Sequence, residues 1–137
     1  MVTSFEVEGG DFTRAGYASS SVKKMLKQLS VSPAIIKRVV VALYESEVNI
    51  VAHAYRGVIN VEVEPGFIHM VLKDEGPGIP NIEQAMQRGF STASSKVREM
   101  GFGAGMGLPN ISENADDFHI ESVVNKGTTL TITVKLK

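Results

Sequence analysis

Two glycine clusters limit what this 137-residue chain can fold into more than any other feature. In Asp74-Glu75-Gly76-Pro77-Gly78-Ile79-Pro80, two prolines withhold amide protons and two glycines leave the backbone unrestrained, so neither helix nor strand can continue through it. Gly101-Phe102-Gly103-Ala104-Gly105-Met106-Gly107-Leu108 sets four glycines at alternate positions. A run this dense costs about 0.5–1 kcal/mol per residue wherever it is helical, which argues against a purely structural role. Regular structure must therefore form in blocks around these two segments.

Hydrophobic periodicity defines the blocks. Ser4 to Glu8 alternates and ends at Gly9-Gly10, predicting a short strand. A helix is expected from Asp11, as cap, to about Ser30, with Ala15, Val22, Met25 and Leu26 on one side. Ser32-Pro33 opens a second, long and mostly buried helix, with Ile35, Ile36, Val39, Val40, Leu43, Val48, Ile50 and Val51 inward; it runs to about Tyr55 and Gly57 closes it. The period then changes to two: Val58–Glu64 and Phe67–Leu72 are strands about a Pro65-Gly66 turn. Asn81 caps a short helix through Gln87, and Arg88 to Phe102 reads as a mobile loop. Helical spacing resumes over Gly103–Asn114, and strands Phe118–Val124 and Thr128–Leu136 flank an Asn125-Lys126-Gly127 turn. Paired strands with helices grouped between them predict an α/β (α+β) two-layer sandwich, its mixed, mostly antiparallel sheet covered by helices on one face. The second glycine cluster follows a loop rather than a strand, against a Rossmann sheet, and no Gly-Lys-Ser/Thr is present for a P-loop.

Composition removes several classes. Length and the absence of a linker predict one domain over 1–137, with 43% hydrophobic and 21% charged residues typical of a globular chain. A formal net charge of -1 argues against nucleic-acid and anionic-membrane partners. Zero cysteines exclude thiolate metal sites and disulfides. The longest apolar run, Val39 to Leu43, is far short of a membrane span, and Met1-Val2-Thr3-Ser4 lacks a secretory start, so a cytoplasmic location is expected.

Three constellations carry chemistry. Glu45 and Asn49, four apart, share a helical face that His53 continues. A carboxylate and a carboxamide there suit a divalent cation, with magnesium needing few protein ligands, and leave the Glu free to orient a nucleophile. The commoner meaning of such a pair is a solvated helix face; His53 reads as a packing residue and Glu47, turned away from Glu45, as surface. Asp74, ahead of Gly76 and Gly78, can accept a hydrogen bond from an exocyclic amine such as that of adenine, although a plain Gly/Pro turn with a solvent-facing Asp explains it equally. Gly103, Gly105 and Gly107 at a helix start expose backbone amides to an anion such as a phosphate chain; a hinge is the alternative. Lys96 and Arg98 either fold over a terminal phosphate or are ordinary surface charges.

Taken in order, these segments resemble the GHKL ATPases of gyrase, heat-shock chaperone, histidine-kinase and mismatch-repair type. Glu45-Ser46-Glu47-Val48-Asn49 is similar to that family's N-box, Asp74-Glu75-Gly76-Pro77-Gly78 to its first glycine box, Gly103-Ala104-Gly105-Met106-Gly107-Leu108 to its second, and Gly127-Thr128-Thr129 to its closing element. Within the family, the lone-domain size, the Glu45/Asn49/His53 spacing, the run Arg88-Gly89-Phe90-Ser91-Thr92 and the stretch from Asp117 to Ser122 resemble bacterial anti-sigma factors and switch-protein serine/threonine kinases. The first predicted helix has no His, unlike the dimerising helix that precedes this domain in two-component kinases.

The resemblance implies a Bergerat ATP-binding fold with a flexible lid at about residues 88–103. It implies that Asn49 binds magnesium, Glu45 is the general base, Asp74 holds the adenine amine with help from Thr128, and Gly76, Gly78 and Ile79 shape the adenine pocket. Gly103, Ala104, Gly105, Met106, Gly107 and Leu108 would line the phosphates, with Lys96 and the catalytic lid residue Arg98 above them, although Ala93 to Met100 departs from the kinase pattern. The expected activity is ATP- and Mg2+-dependent serine/threonine phosphorylation of a small STAS-domain anti-anti-sigma-like protein. A sigma factor or regulatory phosphatase is the expected second partner, and a homodimer is possible through the first strand and helix. The alternative is an ATP-gated interaction module with little kinase activity; free ATP hydrolysis is a third reading, and an α/β domain without a nucleotide site a fourth.

Overall fold

The computed structural model describes residues 1–87 and 107–137. Five strands form one sheet: β1 (Val2–Glu8), β2 (Arg56–Glu64), β3 (Phe67–Glu75), β4 (Asp117–Val123) and β5 (Gly127–Lys135). Their spatial order is β1-β2-β3-β5-β4 and every neighbouring pair is antiparallel, so the sheet expected to be mostly antiparallel is antiparallel throughout. Among the described residues, four α-helices accompany it: α1 (Tyr17–Gln28), α2 (Pro33–His53), α3 (Ile82–Ala85) and α4 (Gly107–Asn114).

Period-two alternation in the central strands sends one set of side chains to the core and the other to solvent. Ile59, Val61, Ile68, Met70, Leu72, Leu130, Ile132 and Val134 are buried, and they meet Val22 and Leu26 of α1, Val39, Leu43 and Ile50 of α2, and Ile111 of α4. The helices thus cover one face of the sheet. Helix α2 lies between α1 and α4, which is why its buried stripe is broad. Pro65 and Gly66, the latter at φ +99°, turn β2 into β3 with Glu64 opposite Phe67. Asn125 at φ +68° turns β4 into β5, a conformation Asn tolerates better than most side chains.

Several boundaries differ from expectation, each for a local reason. The single helix expected over Asp11–Ser30 is divided: a 3-10 turn covers Phe12–Arg14, Gly16 adopts φ +97°, and α1 begins only at Tyr17. Asp11 does not cap it; its carboxylate accepts a 2.6 Å hydrogen bond from Thr13 Oγ1. Helix α2 ends at His53, and Gly57, expected to close it, lies in β2 opposite Asp74. Glycine suits that position because a β-carbon would come 2.9 Å from Ile50 Cδ1 and 3.2 Å from Lys73 O, where α2 crosses the strand. Strand β3 continues past Leu72 to Glu75, so Asp74 stands on the strand end, not beyond it. Asn81 caps α3 as expected, its Oδ1 accepting from Gln84 N at 3.0 Å, but the helix stops at Ala85. No helix among the described residues is long and apolar enough to cross a membrane.

Candidate functional site

The last turns of α2 carry the first group. Glu45 and Asn49 are both part-exposed on the face toward Gly107, the first residue of α4. A β-carbon at Gly107 would lie 3.3 Å from Asn49 Oδ1 and 3.5 Å from Glu45 Oε2. Glycine keeps that space open, and the positive end of the α4 dipole sits beside two oxygen-bearing side chains. Leu108 has a different role: it is buried in the core and anchors α4. His53, one turn beyond Asn49, is half-buried, and desolvation lowers its pKa, keeping it neutral near pH 7.

The second group is built where β3 and β4 end and β5 begins. Thr128 N donates to Asp74 Oδ1 at 3.0 Å, which is the one hydrogen bond to that carboxylate among the described residues. Burial pushes the Asp74 carboxyl up, against a smaller downward pull from the Thr128 amide. The glycines here permit close backbone approaches. Gly76 N donates to Lys126 O at 3.0 Å, and a β-carbon at Gly76 would sit 3.0 Å from Ala54 Cα, directly after α2. Gly78, at φ +76°, would drive a β-carbon to 2.5 Å from Val123 O. Gly76 thus brings the Asp74 segment against the end of the helix that carries Asn49. Asn49 and Ala54 are five residues apart, about 7.5 Å along a helix axis.

Two residues were missed by sequence reasoning. Ser122 ties the second group together: its Oγ accepts from Ile79 N at 2.7 Å and lies 2.9 Å from Thr128 Oγ1 and 3.2 Å from Gly127 O. A lone serine on a strand gives no signal of this. Glu47 is not the surface residue expected of it. It is 2% exposed, and its oxygens accept from Ala18 N at 3.1 Å and Ser19 N at 3.3 Å. Gly16 precedes α1 without a side chain to cap it, so a carboxylate from α2 satisfies the open amides instead. The signal was present in the missing cap, but only the packing of α1 on α2 connects it to Glu47.

Arg98, Lys96, Gly103, Ala104, Gly105, Met106 and the expected lid lie outside the described residues. Within the described part, Glu45, Asn49 and Gly107 come together, as do Asp74, Gly76, Gly78, Ile79 and Thr128, and Gly76 sets the second group against Ala54, just past the end of the helix that carries the first. Such a donor set fits a nucleoside triphosphate with a divalent cation: oxygen ligands and an open glycine at one end, a half-buried acceptor for an amine at the other.

The histidine kinase-like ATPase domain family model matches residues 11–134 of the chain. The chain belongs to this family. Among relatives, this histidine kinase-like ATPase is 32% identical over 120 residues to the anti-sigma F factor of Geobacillus stearothermophilus, covering 83% of this chain and 79% of that one. It is also 32% identical over 110 residues to the serine/threonine-protein kinase RsbT of Bacillus subtilis, covering 77% of each. In structure it superposes on the chain containing the RsbU and RsbW domains of a Mycobacterium tuberculosis protein with a TM-score of 0.65 at 17% identity. That match covers 98% of this chain and 32% of the other, and supports the fold. The chain is thus a histidine kinase-like ATPase domain, similar to proteins named anti-sigma F factor and serine/threonine-protein kinase RsbT, with a five-stranded antiparallel sheet under helices.

Proposed function

We propose that this ATPase domain is a protein serine/threonine kinase that transfers the γ-phosphoryl group of ATP to a hydroxyl on a small STAS-type regulatory partner. The observation that carries this reading is the placement of Glu45 and Asn49 against the open face of Gly107, with Asp74 and Thr128 paired beyond Ala54. Asn49 would hold Mg2+, which supplies charge neutralisation at the phosphates. Asp74 accepts from the adenine amine, and Thr128 holds the carboxylate in place. Gly76, Gly78 and Ile79 form the rim beside it, and Gly103 to Gly107 flank the phosphates while the buried Leu108 anchors the helix behind them. Glu45 takes the proton from the partner's hydroxyl as that oxygen bonds to the γ-phosphorus and the bond to the β,γ-bridging oxygen breaks, leaving ADP. Lys96 and Arg98 complete the neutralisation from the lid.

Relatives named as an anti-sigma factor and as a serine/threonine kinase support a regulatory partner of this kind. The same reading includes one domain over the whole chain, a sigma factor or regulatory phosphatase as second partner, and self-association through β1 and α1. The test is radiolabel transfer from [γ-32P]ATP to a candidate STAS protein. Wild-type protein labels a serine or threonine, and Glu45→Ala binds ATP with little change but does not label. Equal loss of binding and transfer in Glu45→Ala removes the catalytic role from Glu45. Tight ATP binding without transfer to any partner assigns the domain instead to nucleotide-gated docking.

A further inference from the structure

Charge is distributed very unevenly along this nearly neutral chain. Between Phe12 and Tyr44 there are six basic side chains and no acidic one, so the remaining residues hold eight basic and fifteen acidic groups. Arg38 is paired with Asp116 at 3.2 Å, and Arg14 lies 4.9 Å from the centre of the Tyr17 ring. Lys23, Lys27 and Lys37 are exposed and have no ion pair among the described residues. These three surround an open groove of about 250 Å3 between the C-terminal half of α1 and the start of α2, floored by Val31, Pro33 and Val40.

The two properties of this groove call for one kind of occupant. Its volume falls below the roughly 300–1,000 Å3 of small-molecule sites, which suits anchoring side chains better than a free ligand. Ile36 in its lining is buried and Val31 and Val40 are half-buried, whereas membrane-surface helices present protruding large apolar residues to the lipid. A phosphate backbone would satisfy the lysines but offers nothing to an apolar floor. A polypeptide with carboxylates flanking apolar side chains satisfies both.

We propose that this groove docks an acidic amphipathic segment of a partner protein, with apolar anchors on Val31, Pro33 and Val40 and carboxylates against Lys23, Lys27 and Lys37. Pro33 and Glu45 are twelve residues apart on α2, about 18 Å by helix rise, so a docked segment leaves the nucleotide site open. The proposal is independent of the nucleotide reading.

Selection of random 14-residue peptides on the wild-type protein, followed by calorimetry on the selected peptides, tests it. The expected peptides carry acidic residues around two apolar positions and bind more weakly as salt is raised. They lose roughly tenfold or more in affinity against a Lys23→Glu/Lys27→Glu/Lys37→Glu variant, the scale expected for interfacial charges. The corresponding triple Gln variant, a milder change, shows an intermediate loss, and both variants keep the wild-type affinity for ATP. Selected peptides without acidic residues, or equal binding to the charge-reversed protein, overturn the proposal. So do two other outcomes in the absence of acidic peptides: lysine-dependent sedimentation with phosphatidylserine vesicles, which assigns the surface to a membrane, and a lysine-dependent dimer, which assigns it to a second copy.

Discussion

Glu45 and Glu47 are the same residue type two positions apart on one helix, yet they occupy opposite environments. Two residues turn a helix by about 200°, so Glu45 faces the part-exposed ground beside Asn49 and Gly107 while Glu47 faces α1. Glu47 is buried on two backbone amides and has no accessible edge left for a ligand. Glu45 keeps its carboxylate available. One carboxylate holds the fold and the other is placed for chemistry, and residue type alone does not separate them.

Substitutions at these two positions should give opposite results. The largest effect is expected from Glu45→Ala: phosphoryl transfer falls by roughly 10²–10⁴-fold, the span of a general base, while the thermal midpoint stays near wild type. Single-turnover transfer and a melting curve on the same sample check both halves. Glu47→Ala should show the reverse, losing about 3 kcal/mol of stability because two buried amides of α1 lose their acceptor. Urea unfolding measures this, and ATP affinity of the folded fraction should hold.

Asp74 and Ser122 extend the comparison to the second group. Burial raises the Asp74 pKa, so the ionised form is penalised in the folded protein; the penalty is full above the raised pKa and disappears below the ordinary carboxylate value of 3.8. Asp74→Asn should therefore melt no lower than wild type at pH 7, with any advantage shrinking as pH falls through the raised pKa. ATP binding by the same variant should drop by roughly tenfold or more, since an amine donor loses its charged acceptor. A melting series against pH and one titration decide it. The smallest effect belongs to Ser122→Ala, which removes the acceptor for Ile79 N and should cost about 1 kcal/mol of stability, with a several-fold weaker ATP affinity.

Sequence reasoning reached the layered fold because strands such as Val58–Glu64 alternate and α2 repeats apolar residues at helical spacing. It grouped Glu45 with Asn49 because helical spacing is local arithmetic. It failed where the answer depended on a distant element. The start of α1 could not be placed without the left-handed Gly16 and the acceptor supplied from α2. Gly57 looked like a helix stop because its true constraint, Ile50 overhead, is visible only after packing. Ser122 belongs to the same class: its importance comes from three chain segments meeting at one hydroxyl.

The central claim is that Asn49 and Asp74, separated by 25 positions in sequence, serve one bound nucleotide. Calorimetric titration of ATP, with and without Mg2+, against wild type, Asn49→Ala and Asp74→Asn tests it most directly. The account predicts weaker binding in both variants, with the magnesium dependence lost only in Asn49→Ala. Wild-type affinity in either variant would contradict it.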